Sequence, residues 1–276
     1  MSRTTLYVPG DRPDRFDKAL ESGADAIICD LEDAVAEAAK ATAREAVGQW
    51  LRDNPGAPAW VRINNRPGLV DEDAELVRSL VSDGVDFAGV VVPKADAATC
   101  SRDFGGYPVM ALIESAVGVA QIYEVAAVPE VVRLALGEAD LAADLGMEPS
   151  PDALEMWPIR TRVVVASAGE GLEAPCGPVF TNLDDDAGLA TTSQSLRRHG
   201  FGGRSVIHPK QVAAVNAAFT PSDDEITRAK KLVAAFEEAT ADGRAVAVID
   251  GEFIDPAVMR WARSVLNRVP RERPRP

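Results

Sequence analysis

Charged side chains stand at or just past the ends of the apolar runs in this chain. Ala26-Ile27-Ile28-Cys29 runs into Asp30, with Glu32 and Asp33 behind it. Val109-Met110-Ala111-Leu112-Ile113 runs into Glu114, and Val132-Arg133-Leu134-Ala135-Leu136 into Gly137-Glu138-Ala139-Asp140. Between them, Trp60-Val61-Arg62-Ile63-Asn64 carries an arginine and Val90-Val91-Val92-Pro93-Lys94 a lysine. Glu114 and Asp140 suit a hard divalent cation. Mg2+ keeps several waters and takes few protein ligands, so two carboxylates plus water and substrate oxygens make a site. The same acids also read as helix N-terminal residues stabilised by the positive end of a helix dipole. Several carboxylates with one or two cations suggest a metal and an anionic substrate.

The other candidates each carry two readings. Arg62 can grip a carboxylate with both arms of its fork or stabilise an enolate oxygen; it can equally be ion-paired with Asp30, Glu32 or Asp33, and such pairing would pre-organise it. Asp30-Leu31-Glu32-Asp33 also reads as a helix-cap cluster. Tyr7-Val8-Pro9-Gly10-Asp11-Arg12-Pro13-Asp14-Arg15 is a turn with two arginines that opens a helix, suited to phosphates or simply solvated. Lys94 is a Schiff-base lysine only if desolvation or a nearby cation lowers its pKa; among so many carboxylates, ion pairing is the expectation. His208 is either a base or a histidine satisfied by the backbone, and Cys29 is a small buried apolar residue. Gly200-Phe201-Gly202-Gly203 precedes a strand and reads as turn glycines.

Strands are expected near 5–8, 26–30, 59–63, 89–92, 109–113, 132–136, 178–181 and 205–207. They are short apolar, β-branched runs bounded by Gly, Pro and Asp. Helical patterns fall between them: 13–22, 33–53, 72–82, 96–102, 116–127, 139–145, 152–170, 186–199 and 209–218. In the helix from Asp33, Lys40 and Arg44 are spaced to meet Asp33 and Glu37. Eight strand–helix alternations predict a parallel (β/α)8 barrel of the TIM type, with the strand C-termini converging on one chemical mouth. The barrel is expected over 1–220. Residues 221–276 form a C-terminal extension. Ser222 caps a helix to about Thr240 with Glu225 three residues on. Asp242-Gly243 breaks it, a short strand spans 245–249, 250–256 is a turn segment, and a last helix covers 256–268. The basic tail is expected to be disordered.

The 276 residues suit one eight-fold barrel, and 46% hydrophobic residues can fill its core. With 43 acidic against 29 basic residues the net charge is −14, which argues against a nucleic-acid partner. The three cysteines form no C-x-x-C pair and the two histidines are too few for a His-rich metal site. The N-terminal residues show no apolar signal-like run, no run reaches membrane-spanning length, and neither a leader nor a membrane span is expected. A cytoplasmic protein without a membrane partner is the expectation.

In seven ordered motifs the chain resembles the citrate lyase β-subunit-like acyl-CoA lyases of the HpcH/HpaI aldolase superfamily. They are Leu6-Tyr7-Val8-Pro9-Gly10-Asp11-Arg12-Pro13, Asp30-Leu31-Glu32-Asp33-Ala34-Val35, Val61-Arg62-Ile63-Asn64, Val92-Pro93-Lys94, Ala111-Leu112-Ile113-Glu114-Ser115-Ala116, Gly137-Glu138-Ala139-Asp140-Leu141 and Val206-Ile207-His208-Pro209-Lys210-Gln211. Asp250-Gly251-Glu252-Phe253-Ile254-Asp255-Pro256 resembles the family's lid. The resemblance covers about 4–265. It implies Mg2+, with Mn2+ as a substitute, on Glu114 and Asp140. It implies Arg62, Asp255 and Glu32 as the catalytic set, Asp255 reaching a neighbouring subunit's mouth as acid/base. Pro9, Gly10, Arg12, Arg62, Lys94 and Glu138 are implied to bind substrate and coenzyme A, the latter being part of the substrate. It further implies a homotrimer or hexamer with exchanged lids. The implied reaction cleaves or forms a carboxylate-bearing 3-hydroxyacyl thioester, such as malyl- or citramalyl-CoA, with an acyl-CoA and a 2-oxoacid on the other side. Many relatives carry an Asp near Cys176 and another near Thr181, so this strand-seven region is expected to shape a different pocket. The alternatives are an acyl-CoA thioesterase on the same site, a citrate lyase complex subunit acting on a carrier thioester, and an acyl-CoA-binding regulator without turnover.

Overall fold

The computed structural model describes residues 2–150, 152–241, 246–249 and 252–269. Eight strands close into a barrel in chain order: β1 Thr4–Pro9, β2 Ala26–Asp30, β3 Ala57–Arg62, β4 Phe87–Val92, β5 Val109–Ile113, β6 Val131–Leu136, β7 Glu173–Gly177 and β8 Gly203–Val206. Each neighbouring pair is parallel, β8 against β1 included. Helices pack outside, and no helix among the described residues is long and apolar enough to cross a membrane.

The period-2 alternation of strand side chains explains the position of the charges. Ala26 and Ile28, Trp60, Met110 and Leu112, Ala135 and Cys176 share one buried cluster. Two residues further along the same faces stand Asp30, Arg62, Glu114 and Gly137. An apolar middle layer therefore lies under a charged top layer, and below it on the same face of β6 is the buried Arg133, which donates to the Ala174 and Ser2 carbonyls.

Four expectations need correction. The seventh strand lies at Glu173–Gly177, not 178–181. Pro178-Val179-Phe180 is apolar but is a loop beyond the strand. Arg204 Nε donates to the Pro178 carbonyl at 2.8 Å and Gln211 Nε2 to the Phe180 carbonyl at 2.8 Å. The true strand carries Pro175 and Gly177, residues that weaken a strand signal. The helix expected from Asp33 begins as a 3-10 turn, Glu37–Ala39, leading into Lys40–Asp53. The Asp30 carboxylate takes the Glu32 and Ala34 N–H groups and turns the chain there. Lys40 Nζ consequently reaches back to the Leu31 and Glu32 carbonyls at 2.7 and 2.5 Å, and Arg44 pairs with Glu72 and Asp73. The helix expected over 116–127 is two short ones, Ala116–Ala120 and Ile122–Ala126. Residues 252–254 are a strand rather than a turn.

The chain divides into two compact units, Met1–Asn216 and Ala217–Pro276. In the second, the helices Asp223–Ala241 and Pro256–Asn267 bury Ala229, Leu232, Met259, Ala262 and Val265 together. Ser222 and Glu225 form the expected reciprocal cap: Ser222 N–H to Glu225 Oε2 at 2.8 Å, Glu225 N–H to Ser222 Oγ at 3.2 Å. The antiparallel pair β9 Ala247–Ile249 and β10 Glu252–Ile254 leaves Val248 and Phe253 exposed. Asp242-Gly243, Asp250-Gly251 and 270–276 of the tail lie outside the described residues.

Candidate active site

A cavity of about 370 Å3 opens among the strand C-termini. Asp30, Asp33, Arg62, Glu114, Glu138 and Asp140 contribute its charges. Leu112, Leu136, Val179 and Ile207 supply apolar wall, and Tyr7 and Ser205 also face the cavity.

Arg62 is buried and held from two sides. Nε and Nη2 donate to the two Asp30 oxygens at 2.7 and 2.6 Å. Nη1 stands 2.9 Å from Glu32 Oε2 but without hydrogen-bond geometry, so that oxygen is a buried acceptor still lacking a donor. The Tyr7 ring lies under the guanidinium, 4.9 Å from its carbon to the ring centroid, a cation–π contact. Burial works against the charge on Arg62, but the Asp30 hydrogen bonds and charge outweigh it and hold its pKa above the ordinary value. Arg62 is both the ion pair and the pre-organised fork that its sequence position suggested.

Glu114 is 3% exposed. Its Oε1 accepts the backbone N–H of Lys94 at 2.9 Å. Its other oxygen lies against Gly137, where a Cβ added to the glycine would come within 2.6 Å of Oε2. Glycine is thus the residue that lets β6 approach this carboxylate. Burial, followed by the charge of Glu32, pushes the Glu114 pKa up to about 8. A cation bound beside this carboxylate would favour its ionised form. Asp140 is exposed in the first turn of the helix Glu138–Leu145, which starts directly after Gly137. Among the described residues no three His, Cys, Asp or Glu side chains converge as a metal site. Glu114 and Asp140 both line the cavity; two carboxylates are a donor set that Mg2+ takes where water and substrate supply the other oxygens.

The remaining candidates are placed as follows. Lys94 Nζ donates to Glu32 Oε1 at 2.8 Å. Burial pulls the Lys94 pKa down, but the Glu32 hydrogen bond and charge win and leave it raised, which favours the ion pair over a Schiff base. Glu32 is itself raised, by burial first, against the opposing pull of Arg62 and Lys94. Glu138 lines the cavity while Arg160 grips both its oxygens at 2.6 and 2.7 Å. Pro9 ends β1 and Gly10 is the turn residue that follows it. The Gly10 N–H donates to the Asp30 carbonyl at 2.8 Å, and a Cβ there would meet that oxygen at 2.7 Å. Arg12 is exposed and paired with Asp14. His208 accepts the Lys210 N–H through Nδ1 as a cap, the structural one of its two readings. Asp255, in the second unit, caps the last helix, its Oδ1 taking the Ala257 and Val258 N–H groups at 2.8 and 2.9 Å.

The roles of several contributors are not visible in the sequence. Tyr7 supplies the ring under Arg62. Lys40 and Asn64 both donate to the Leu31 carbonyl and so fix the loop that bears Glu32. Arg160 stacks on Trp157 at 4.7 Å and anchors the first turn that bears Asp140. Each meets its partner only through the fold; Arg160 is 22 residues from Glu138.

The chain is similar to known proteins over nearly its whole length. It is 33% identical to the citrate lyase subunit beta of Leuconostoc mesenteroides subsp. cremoris, covering 95% of this chain and 92% of that one. It is 34% identical to a (3S)-malyl-CoA thioesterase of Cereibacter sphaeroides, covering 96% and 93%. Among solved structures it superposes with TM-score 0.79 and 31% identity on the CitE protein of Mycobacterium tuberculosis in complex with magnesium, acetoacetate and coenzyme A, covering 96% of this chain and 97% of that one. The HpcH/HpaI aldolase/citrate lyase family pattern matches residues 3–209. With the closed parallel barrel and its helical extension, these matches establish that the chain belongs to the HpcH/HpaI aldolase/citrate lyase family.

Proposed function

We propose that this protein is a Mg2+-dependent carbon–carbon lyase acting on a short carboxylate-bearing 3-hydroxyacyl-CoA, such as malyl-CoA or citramalyl-CoA. The observation that carries this reading is Glu114: a buried carboxylate with a raised pKa, fixed at one oxygen, in the same cavity as Asp140 and the clamped Arg62. A divalent cation on Glu114 and Asp140, Mg2+ or Mn2+ in its place, would supply Lewis-acid polarisation of the hydroxyl and carboxylate oxygens of the substrate.

In cleavage the hydroxyl proton leaves to a base, and that oxygen becomes the carbonyl of the 2-oxoacid. The bond between the hydroxyl carbon and the carbon next to the thioester breaks, and its electron pair moves onto the thioester as an enolate. Arg62 stabilises the enolate oxygen with a guanidinium already set by Asp30, so little reorganisation accompanies charge development. The enolate carbon then takes a proton and leaves as acyl-CoA. Asp255 from a neighbouring subunit is assigned the acid/base role, which requires a trimer or hexamer with exchanged lids. Pro9, Gly10 and Arg12 are assigned to the coenzyme A portion, Lys94 and Glu138 to the edge of the substrate site and Glu32 to the support of Arg62. A cytoplasmic location is part of this proposal.

The thioesterase relative favours one second reading, hydrolysis of the thioester on the same site. Purified protein with Mg2+ and a panel of CoA thioesters, followed by mass spectrometry, separates the two. Lyase action releases a 2-oxoacid and a shorter acyl-CoA. Hydrolysis alone releases free CoA and the intact hydroxyacid, and that outcome would replace the lyase assignment. Turnover of free CoA thioesters without a partner protein would exclude an obligate subunit role. Tight CoA binding without any turnover would point to the regulator.

A further inference from the structure

Lys94 is one of two non-glycine residues with positive φ among the described residues, at +46°. An L-residue adopts this left-handed conformation only when its surroundings impose it. The conformation matters because the Lys94 N–H is the donor to Glu114 Oε1 at 2.9 Å, while its Nζ reaches Glu32 Oε1 at 2.8 Å. Rotating this one peptide out of the left-handed region would remove the bond that orients Glu114. Asn65, in the loop after β3, grips this turn, beside the Ala95 N–H that donates to the Leu112 carbonyl at 3.0 Å. Its Nδ2 donates to the Pro93 carbonyl at 2.9 Å and to the Lys94 carbonyl at 3.2 Å, gripping the turn on both sides of the Lys94 α-carbon. These two carbonyl acceptors orient the amide with its N–H groups toward the turn; Thr99 Oγ1 stands 3.4 Å from Asn65 Oδ1 and 3.2 Å from Asp96 Oδ2, its one proton shared between them.

We infer that Asn65 is a positioning residue that aims Glu114 into the mouth by holding Lys94 in its left-handed conformation. The inference rests on the reading of Glu114 as a metal-holding carboxylate. Asn65 stands three residues beyond Arg62, so the β3 loop provides the fork on one side and, through Lys94, sets the β5 carboxylate on the other. One loop thus couples the group that stabilises the enolate to the group that holds the cation.

The test is Mg2+ affinity by calorimetry on the full-length protein, with Asn65→Ala and the near-isosteric Asn65→Asp, which has no N–H to give. Both should bind Mg2+ about 10-fold more weakly, the scale for an outer partner of a metal ligand, with coenzyme A affinity unchanged. Glycine takes positive φ freely, so in a Lys94→Gly background the added Asn65→Ala change should cost a smaller factor. Equal losses in both backgrounds would overturn the coupling through Lys94. Unchanged Mg2+ affinity in the Asn65 variants, with binding abolished in Glu114→Gln, would overturn the inference and leave the metal reading intact. Should Glu114→Gln itself retain Mg2+ binding, the metal reading fails. Amide exchange in metal-free protein still decides the positioning: the Lys94 N–H should exchange faster in both Asn65 variants, and unchanged protection refutes it.

Discussion

Glu114→Gln should make the metal-free protein more stable at neutral pH while removing its response to Mg2+. The amide keeps the volume and can still accept the Lys94 N–H, but it carries no charge to desolvate. In the folded wild type the Glu114 pKa is pushed up from 4.5 to about 8, by burial first and Glu32 second. A carboxyl raised on folding contributes stability that is fully present below its unfolded pKa and is lost as pH rises through its folded pKa. The stability of wild type relative to Glu114→Gln should therefore be flat below about pH 4.5, fall by about 1.4 kcal/mol per pH unit, and level off above about pH 8. At pH 7 the fall amounts to about 3 kcal/mol. Urea denaturation in EDTA at half-unit steps from pH 4.5 to 9 measures this difference directly, and groups common to both proteins largely cancel. Saturating Mg2+ should then reverse the order by stabilising only the wild type, since a ligand that binds the folded state alone adds RT ln(1 + [L]/Kd). Parallel pH curves for the two proteins would refute the buried, cation-seeking Glu114. Equal stabilisation of both by Mg2+ would remove Glu114 from the metal site.

Three further outcomes follow from the geometry. Arg62→Lys should lose about 2–4 kcal/mol of transition-state stabilisation in kcat/KM, because an ammonium cannot span both Asp30 oxygens and still face the cavity; a lysine variant within a few-fold of wild type would show that charge alone suffices. Gly137→Ala places a methyl 2.6 Å from Glu114 Oε2, so Mg2+ affinity should fall about 10-fold while unfolding in EDTA changes by about 1–3 kcal/mol at most; unaltered affinity would mean that the carboxylate has room to move. Asp255→Asn should lose lyase turnover yet keep its helix cap, since asparagine caps as well as aspartate. Mixed oligomers of inactive Asp255→Asn and inactive Glu114→Gln chains should regain activity, and no recovery in verified hybrids would argue against a site shared between subunits.

Most of the barrel was legible because its strands are apolar enough to be read one at a time. Val109–Ile113 and Ala26–Asp30 need no distant partner to identify them. Glu173–Gly177 did: its Pro and Gly speak against a strand, and only pairing with β6 and β8 makes it one. The helix expected from Asp33 failed for a related reason. The Asp30 carboxylate and Lys40 divert the backbone into a turn, and a composition rich in Ala and Glu carries no trace of that competition.

The candidate site divides along the same line. A residue that points into the mouth from the end of its own strand announces itself, since alternation past an apolar run gives its direction; Asp30, Arg62 and Glu114 are of this kind. What such a residue does depends on groups that arrive from elsewhere. Lys94 drew notice for its ammonium, yet its contribution to Glu114 is a backbone N–H, available to any residue that can hold the same conformation. Asn65 drew none, because a side-chain amide in a loop is ordinary until its two carbonyl partners are seen on the next strand's turn. Glu138 reads as one more mouth carboxylate until Arg160 is found across it. The charged groups of this mouth are thus written in local pattern, whereas their orientation and pKa values are set by long-range contacts. A variant that leaves every charged residue in place, such as Asn65→Ala or Gly137→Ala, is accordingly the sharper probe of how the site is built.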